Sequence, residues 1–273
     1  MCRLMAVPPQ MSRGDVLDIL LDMETRNTDG FGFAYVKDKK FIANKTRNSL
    51  SKSLKKKGKD NIFASFPEQR KGWAILHLRA ASQGDVSTRN AHPFLSENYA
   101  FVHNGMFREH LLIRAALSKD IKYTSETDSE VALHLLEHIG PKKFAQLVEG
   151  SSVYLALCRD GSLWAFKTSF AADLKIAKLK QGIFLASELP FKCEFDGDEM
   201  RPGWAHLSPE GEILHKKEKG ESISFSPSNK FTGGFTKSHH LNDYADASAH
   251  SFYIGASQQI PKKATCHDDF GCQ

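Results

Sequence analysis

The order in which strand-like and helix-like segments follow one another constrains the fold of this chain most strongly. Strand-like runs come first, among them residues 31–36 and 99–102. Two helical segments follow, one opening at Thr127 with a capping-box pattern and one beginning at Pro141. After Gly150 short strand-like segments return. Strands, then helices, then strands predict an α+β domain of antiparallel sheets, with the two consecutive helices covering one sheet face.

Composition narrows the class of protein further. Of the 273 residues 41% are hydrophobic, which is enough for a substantial core. The five cysteines are an odd, scattered set that fits neither a disulfide framework nor a zinc site, so reduced thiols in a cytoplasm are expected. No signal peptide or membrane-spanning run is recognisable, and no membrane partner is expected. Basic runs such as residues 52–59 lack interleaved aromatic residues, which favours a solvated loop over nucleic-acid binding.

The composition changes near the end of the chain. Residues 2–217 are predicted to form the folded domain, whereas 218–273 are rich in Ser, Gly, His, Lys and Asp and are predicted to be a low-complexity, poorly ordered tail. His239-His240 and the segment 266–272 contain metal-ligating residue types, but their spacing matches no standard site, so no metal is expected. The tail is equally compatible with docking to a partner.

The second residue of the chain is a cysteine. Removal of the initiator methionine is expected because cysteine is small, and Cys2 would then carry both a thiol and a free α-amine. A thiol has a reference pKa of about 8.5 and an α-amine one of about 7.7–8.0, so near neutral pH the amine can accept the thiol proton. Nucleophile and base would share one residue. The alternative for Cys2 alone is a buried cysteine with no catalytic role.

Polar residues stand at the ends of two predicted strands. His77 and Arg79 lie near the end of the apolar run 73–78, and residues 103–105 follow the strand 99–102. Because loops on a rigid scaffold commonly carry chemistry, these residues are candidates for a site. For residues 103–105 alone, a hairpin turn of the Asn-Gly type is the alternative.

Together the motifs resemble the glutamine-hydrolysing domain of class II glutamine amidotransferases, a branch of the N-terminal-nucleophile hydrolases. The resemblance spans roughly residues 2–217 and is closest to the compact, stand-alone members. It implies a four-layer αββα sandwich of two antiparallel sheets between helices, and no cofactor. The motifs occur in the family's order: Cys2-Arg3-Leu4, Asp29-Gly30-Phe31-Gly32, His77-Leu78-Arg79, Asn90-Ala91-His92-Pro93-Phe94, His103-Asn104-Gly105, Thr127-Asp128-Ser129-Glu130 and Ala186-Ser187-Glu188.

The resemblance also implies catalytic roles. Cys2 would attack the side-chain amide carbon of glutamine, with its own α-amine relaying the proton to the departing ammonia. The side-chain amide of Asn104 and the backbone N–H of Gly105 would form the oxyanion hole. Arg79 would bind the α-carboxylate of glutamine and Asp128 its α-ammonium group. Taken alone, Asp128 in the first turn of a helix is equally explained by the helix dipole.

Further residues are assigned lesser roles by the same resemblance. Ser82 would help to hold the carboxylate, and Gln83 departs from the histidine that several members carry beside that hydroxyl. Ser187 and Glu188 would lie just outside the site. The histidines are expected to support loops by hydrogen bonds, not to bind metal. The supporting residues are therefore His77, His92, His103 and Gly30.

Three functions remain open at this point. The leading hypothesis is hydrolysis of the glutamine side-chain amide to glutamate and ammonia, with the ammonia passing to an acceptor on a separate synthase subunit. The second is a stand-alone hydrolase of another γ-glutamyl amide or peptide, which the change at Gln83 would permit. The third is a non-catalytic glutamine-binding subunit.

Overall fold

The computed structural model describes residues 2–170, 172–179, 182–189 and 196–218. Met1 and the predicted tail after Glu218, with its candidate metal ligands His239-His240 and residues 266–272, lie outside the described residues. Within the described part of the chain, no helix is long and apolar enough to pass through a membrane.

The described residues contain thirteen strands and five α-helices. The strands are β1 (Arg3–Val7), β2 (Phe31–Lys37), β3 (Lys40–Thr46), β4 (Ala74–Leu78), β5 (Phe94–Leu95), β6 (Tyr99–Gly105), β7 (Ser152–Cys158), β8 (Leu163–Lys167), β9 (Lys175–Leu179), β10 (Gly182–Ala186), β11 (Asp196–Glu199), β12 (Gly203–Leu207) and β13 (Ile213–Glu218). The helices are α1 (Arg13–Met23), α2 (Leu50–Leu54), α3 (His110–Leu117), α4 (Asp128–Ile139) and α5 (Pro141–Leu147). Two short 3₁₀ helices, Gly58–Asp60 and Ile62–Ser65, follow α2.

The strands form two sheets in which neighbouring strands are antiparallel. One sheet has the order β11-β9-β10-β1-β4-β2-β3, and the other has the order β13-β12-β8-β7-β6-β5. Strand β1 lies in the middle of the first sheet, between β10 and β4. Cys2 immediately precedes this central strand.

Three apolar clusters separate the layers. In β1 the side chains alternate, so that Leu4 and Ala6 belong to the cluster between the two sheets, whereas Met5 and Val7 pack with α1 and α2. A third cluster, which includes Phe101 and Tyr154, joins the outer face of the second sheet to α4 and α5. Helices thus cover both outer faces, and the predicted four-layer αββα sandwich is confirmed.

Local signals explain several element boundaries. The Ser12 side chain accepts a hydrogen bond from the backbone N–H of Asp15 at 3.1 Å and so caps α1. Pro141 begins α5, where its missing N–H is not needed. The capping-box prediction at Thr127 is wrong in detail. Thr127 precedes α4, but its side chain makes no capping bond. Glu130 instead accepts from the backbone N–H groups of residues 124 and 125, because that segment folds back over the helix start.

Some elements carried too weak a sequence pattern to be predicted. Helix α3 leaves Leu111 and Leu112 68% and 67% exposed, so its apolar residues form no one-sided buried stripe. Strand β13 is exposed along its whole length at the edge of its sheet, and it therefore lacks the alternation of a half-buried strand.

Candidate active site

Cys2 lies where β1 enters the first sheet. Its side chain is half-buried, with Sγ 3.3 Å from the carbonyl oxygen and 3.4 Å from the backbone nitrogen of Ala80. Two contacts secure the residues that follow it. The Ser187 hydroxyl accepts from the Leu4 N–H at 3.1 Å, and Glu188 forms an ion pair with Arg3. Ser187 and Glu188 thus hold β1, the strand that follows the cysteine.

The electrostatic surroundings of Cys2 involve two of the predicted substrate-binding residues. Burial raises the pKa of the Cys2 thiol above its ordinary value, and the Asp128 charge acts in the same direction. The backbone N–H of Ala80 and the Arg79 charge oppose that rise in pKa. The thiol is therefore mainly protonated near neutral pH, and a reaction that starts from the thiolate requires a base beside it.

Arg79 follows β4 and is almost fully buried. Its Nη1 donates to the carbonyl oxygen of Asp85 at 2.9 Å, and its Nη2 donates to that of Gln83 at 2.7 Å. Its backbone N–H donates to the Gly30 carbonyl oxygen at 2.8 Å. Gly30 has a φ of 155°, and an added Cβ would lie 3.1 Å from the carbonyl oxygen of Thr46. Gly30 therefore supports Arg79 through its backbone.

The segment after Arg79 is a loop tied to its surroundings by polar contacts. Lys45 donates from Nζ to the Ala91 carbonyl oxygen at 2.8 Å, and burial lowers the pKa of this lysine to about 8. Arg89 pairs with Glu126 at 2.6 Å, which joins the loop to the segment before α4. Ser82 is exposed at the start of this loop. Gln83 approaches Arg79 through its carbonyl oxygen.

Asn104 and Gly105 are the last two residues of β6, paired with Val153 and Ser152 of β7. The hairpin-turn alternative for residues 103–105 is therefore wrong, because the segment continues a strand ladder. Asn104 is 8% exposed, and no described residue forms a hydrogen bond with its buried Oδ1. Gly105 has a φ of 131°, and an added Cβ would lie 2.4 Å from the Ser151 carbonyl oxygen. Only glycine fits there without displacing backbone.

Two histidines connect the sheets and α4. His77 on β4 reaches across to β6, with Nε2 3.1 Å from the His103 carbonyl oxygen. The His103 ring lies between the hydroxyls of Ser129, 3.0 Å from Nδ1, and Ser152, 3.2 Å from Nε2. Burial lowers the pKa of His77 to about 3 and also lowers that of His103, although the Asp128 charge opposes the shift in His103. Both rings are therefore neutral at physiological pH.

The expectation that all these histidines support loops by hydrogen bonds is wrong in part. His77 and His103 lie within strands, and they connect strands and α4. His92 is buried with its ring centroid 4.0 Å from that of His77, and neither ring nitrogen has a partner in the described ranges. Its contribution is packing, because a buried ring without a hydrogen bond supports its neighbours only by contact. In the same ranges, no group of three or more His, Cys, Asp or Glu is placed to hold a metal ion.

Asp128 is the first residue of α4 and is 6% exposed. Its Oδ2 accepts from the backbone N–H of Phe107 at 2.8 Å, and its Oδ1 lies 3.3 Å from the Ser129 hydroxyl. The Asp128 Oδ1 is also 3.8 Å from His103 Nδ1. The helix dipole alone does not account for this placement, because the carboxylate is tied to the segment that follows Gly105. Ser129 and Ser152 also belong to this hydrogen-bonded group of candidate site residues, and no signal in the sequence pointed to them, because serine on a strand or in a first helical turn is common.

The fold resembles that of known amidotransferases. The structure of Bacillus subtilis glutamine phosphoribosylpyrophosphate amidotransferase, complexed with ADP and GMP, matches with a TM-score of 0.61 at 16% identity, covering 80% of this chain and 49% of that one. A structure of the allosteric regulatory enzyme of purine biosynthesis matches with a TM-score of 0.62 at 17% identity, covering 78% and 48%. This chain thus shares the fold of these two proteins.

The sequence itself places the chain within that class. Residues 1–160 match the family model of class II glutamine amidotransferases, and the chain belongs to this family. Glutamine–fructose-6-phosphate aminotransferase (isomerizing) from Helicobacter pylori strain J99 is 32% identical over 184 residues, covering 64% of this chain and 30% of the relative. The Pectobacterium atrosepticum protein of the same name is 31% identical over 147 residues, covering 51% and 23%. The chain therefore spans less than a third of the length of these relatives.

Proposed function

We propose that residues 2–217 form a glutaminase domain in which Cys2, exposed as the N-terminal residue, hydrolyses the side-chain amide of glutamine. The observation that carries the proposal is the convergence of Cys2 with Arg79 and Asp128. The charges of both residues act on the pKa of the Cys2 thiol, although the three residues come from widely separated parts of the sequence. A nucleophile, a fixed cation and a fixed anion are the three groups that hydrolysis of a free amino acid's side-chain amide requires.

In the proposed reaction the α-amine of Cys2 takes the thiol proton, and the sulfur attacks the amide carbon. The resulting oxyanion is stabilised by Asn104 and by the N–H of Gly105. The C–N bond then breaks, the amine returns the proton to the leaving nitrogen, and ammonia departs from a γ-glutamyl thioester on Cys2. Water, activated by the same amine, hydrolyses the thioester to glutamate and restores the thiol. The raised pKa of the buried thiol is the reason why a base on the same residue is needed.

Arg79 and Asp128 would orient the substrate. Only two of the five guanidinium N–H groups of Arg79 are used in its bonds to the carbonyl oxygens of Gln83 and Asp85, and the geometry of the remaining donors suits a carboxylate. Asp128 has Oδ2 committed to the Phe107 N–H, whereas Oδ1 has longer contacts, 3.3 Å to the Ser129 hydroxyl and 3.8 Å to His103 Nδ1. We assign the α-ammonium group of glutamine to this second oxygen, and the exposed Ser82 to the carboxylate end of the substrate.

The ammonia would pass to an acceptor on a separate synthase subunit. The aminotransferases that this chain matches are more than three times the length of the matched part, and their names denote transfer of an amino group to fructose 6-phosphate. Because the names of these relatives denote transfer of an amino group, we assign the acceptor of the ammonia to a synthase partner. Within the described ranges neither Cys2 nor Cys158 forms a disulfide, which fits the reducing conditions of a cytoplasm.

The decisive experiment combines intact mass with ammonia release. The purified full-length chain should lack the mass of Met1 and should release ammonia from glutamine, whereas Cys2→Ala should release none above background. Cys158→Ala is the matched control, because Cys158 is a buried strand residue of β7 and its loss should leave ammonia release unchanged. A processed chain that binds glutamine but releases no ammonia would refute the hydrolase and favour the binding subunit. Faster turnover of a γ-glutamyl peptide than of glutamine would instead redefine the substrate.

A further inference from the structure

A hydrogen-bonded ring links the proposed oxyanion hole to the proposed ammonium site. The first half of the ring runs from Asp128 Oδ1 to the Ser129 hydroxyl at 3.3 Å, and from that hydroxyl to His103 Nδ1 at 3.0 Å. His103 Nε2 continues it to the Ser152 hydroxyl at 3.2 Å. His103 thereby bridges two hydroxyls, one on α4 and one on β7.

The second half of the ring returns through the backbone that follows Gly105. The Ser152 hydroxyl lies 3.1 Å from both the N–H and the carbonyl oxygen of Met106. The next N–H along the chain, that of Phe107, donates to Asp128 Oδ2 at 2.8 Å and closes the ring. Ser152 and Phe107 are at most 1% exposed, so water cannot replace the partners of their polar groups. These hydrogen bonds therefore restrict the positions of both residues more than they would at the protein surface.

We propose that Ser152 is a positioning residue of this enzyme, whose hydroxyl fixes the Gly105–Met106 segment and couples the oxyanion donor to the carboxylate that binds the substrate ammonium. The inference rests on the proposed function, since it assigns Ser152 a role in that same reaction. Ser152 acts through its neighbours and does not touch the substrate.

Steric fit supports this assignment. Ser152 pairs with Gly105 across the β6–β7 ladder, and a Cβ added at Gly105 would lie 2.5 Å from the Ser152 Oγ. The serine hydroxyl therefore sits directly against the glycine Cα, where a side chain on residue 105 would displace it. A hydroxyl suits this position because its single proton can be donated to Nε2 of the neutral His103 ring while a lone pair accepts the Met106 N–H. His103 then donates from Nδ1 to the Ser129 hydroxyl, which donates to Asp128 Oδ1.

The coupling predicts a specific kinetic signature. Removing the hydroxyl frees the segment that carries the Gly105 N–H, so stabilisation of the transition state falls while ground-state binding of glutamine is largely kept. Loss of an oxyanion donor outright costs about 100- to 1000-fold in kcat, and loss of its support should cost less, about 10- to 100-fold. The KM for glutamine should change by less than about threefold, because the oxyanion donor stabilises the transition state and contributes little to binding of glutamine in the ground state.

The test compares Ser152→Ala with Thr168→Val in the full-length, processed protein. Thr168 is the matched control, because its hydroxyl accepts from the backbone N–H of Ser152 at 2.8 Å but takes no part in the ring. Ser152→Ala should lower kcat with KM nearly unchanged, whereas Thr168→Val should lower kcat by less than about threefold. Equal kcat losses in the two variants, or a loss confined to KM, would overturn the proposal.

Hydrogen exchange of the Met106 amide, followed by NMR, separates this proposal from the function on which it rests. Ser152→Ala should raise the exchange rate at Met106 about fivefold or more relative to Thr168→Val, because the hydrogen bond that the Ser152 hydroxyl accepts from the Met106 N–H is lost. A wild-type protein without Cys2-dependent ammonia release would refute the proposed function, whereas an unchanged Met106 rate would refute the role of Ser152 in either case. If Ser152→Ala does not fold, Ser129→Ala breaks the ring at its other end, and an unchanged kcat there would count equally against the proposal.

Discussion

Replacement of Gly105 by alanine is the most informative single perturbation of this site. The backbone of Gly105 has a φ of 131°, which L-residues rarely adopt and which costs about 1–3 kcal/mol. The added Cβ would also lie 2.4 Å from the Ser151 carbonyl oxygen and 2.7 Å from the Ser152 Cα. Both of these are backbone atoms at the start of β7, so the clash can be relieved only if β6 and β7 move apart.

The two effects can be combined into an expected loss of stability. Overpacking of this kind typically costs about 1–3 kcal/mol, and alanine restricts the unfolded chain by about 0.4–1 kcal/mol in the opposite direction. The free energy of unfolding should therefore fall by roughly 2–5 kcal/mol in Gly105→Ala. Activity should fall as well in the fraction that remains folded, because any shift of the Gly105 N–H misplaces the oxyanion donor.

Gly58→Ala is a matched control for backbone strain. Gly58 has a φ of 59°, and an added Cβ there would meet nothing within 4 Å. Only the strain of the left-handed backbone applies, so the loss should be about 1 kcal/mol. Urea unfolding monitored by tryptophan fluorescence measures both variants. Equal losses for Gly105→Ala and Gly58→Ala would refute the argument that the Ser151–Ser152 backbone excludes a side chain at position 105.

Three further predictions concern charge and pH. Asp128→Asn should raise the KM for glutamine by roughly 10- to 100-fold, because it removes a charge-assisted bond to the substrate ammonium; an effect on kcat alone would contradict the assignment. Alkylation of Cys2 by iodoacetamide, followed by intact mass, should quicken by about tenfold per pH unit between pH 7 and 9, because burial raises the pKa of the thiol; a plateau below pH 8 would disprove this. His77 has its pKa lowered to about 3, so between pH 6.5 and that value the unfolded chain binds a proton that the folded chain does not. Stability should therefore fall with decreasing pH over that range by up to about 1.4 kcal/mol per unit from this group, and His77→Gln, measured by urea unfolding at several pH values, should lose that part of the slope.

Local sequence patterns predicted much of the architecture. The strand–helix–strand order indicated an α+β domain, and the helix predicted to begin at Pro141 begins there. Such signals survive in a single sequence because caps, turns and periodicity depend on residues only a few positions apart. Elements without such a pattern, above all α3 and β13, could not be found this way.

The folded structure corrected two local predictions near the site. Residues 103–105 carry Asn-Gly turn chemistry, yet long-range pairing with β7 draws them into a strand. Glu130 has the spacing of a capping box, yet it binds the N–H groups of residues 124 and 125, because the segment just before the helix folds over the helix start. In both cases another contact outweighed a local preference that is worth only about 1 kcal/mol.

The sequence alone determined which residue types this protein has for its chemistry: a cysteine at the second position, an arginine and an aspartate for a zwitterion, and an Asn-Gly pair for an oxyanion. Only the tertiary structure decided how they meet. Antiparallel register brings Cys2 near Arg79 and places Ser152 against Gly105. His103 then connects Ser152, through Ser129, to Asp128. Strand register depends on contacts between residues far apart in the chain, so no short-range pattern in the sequence specifies it.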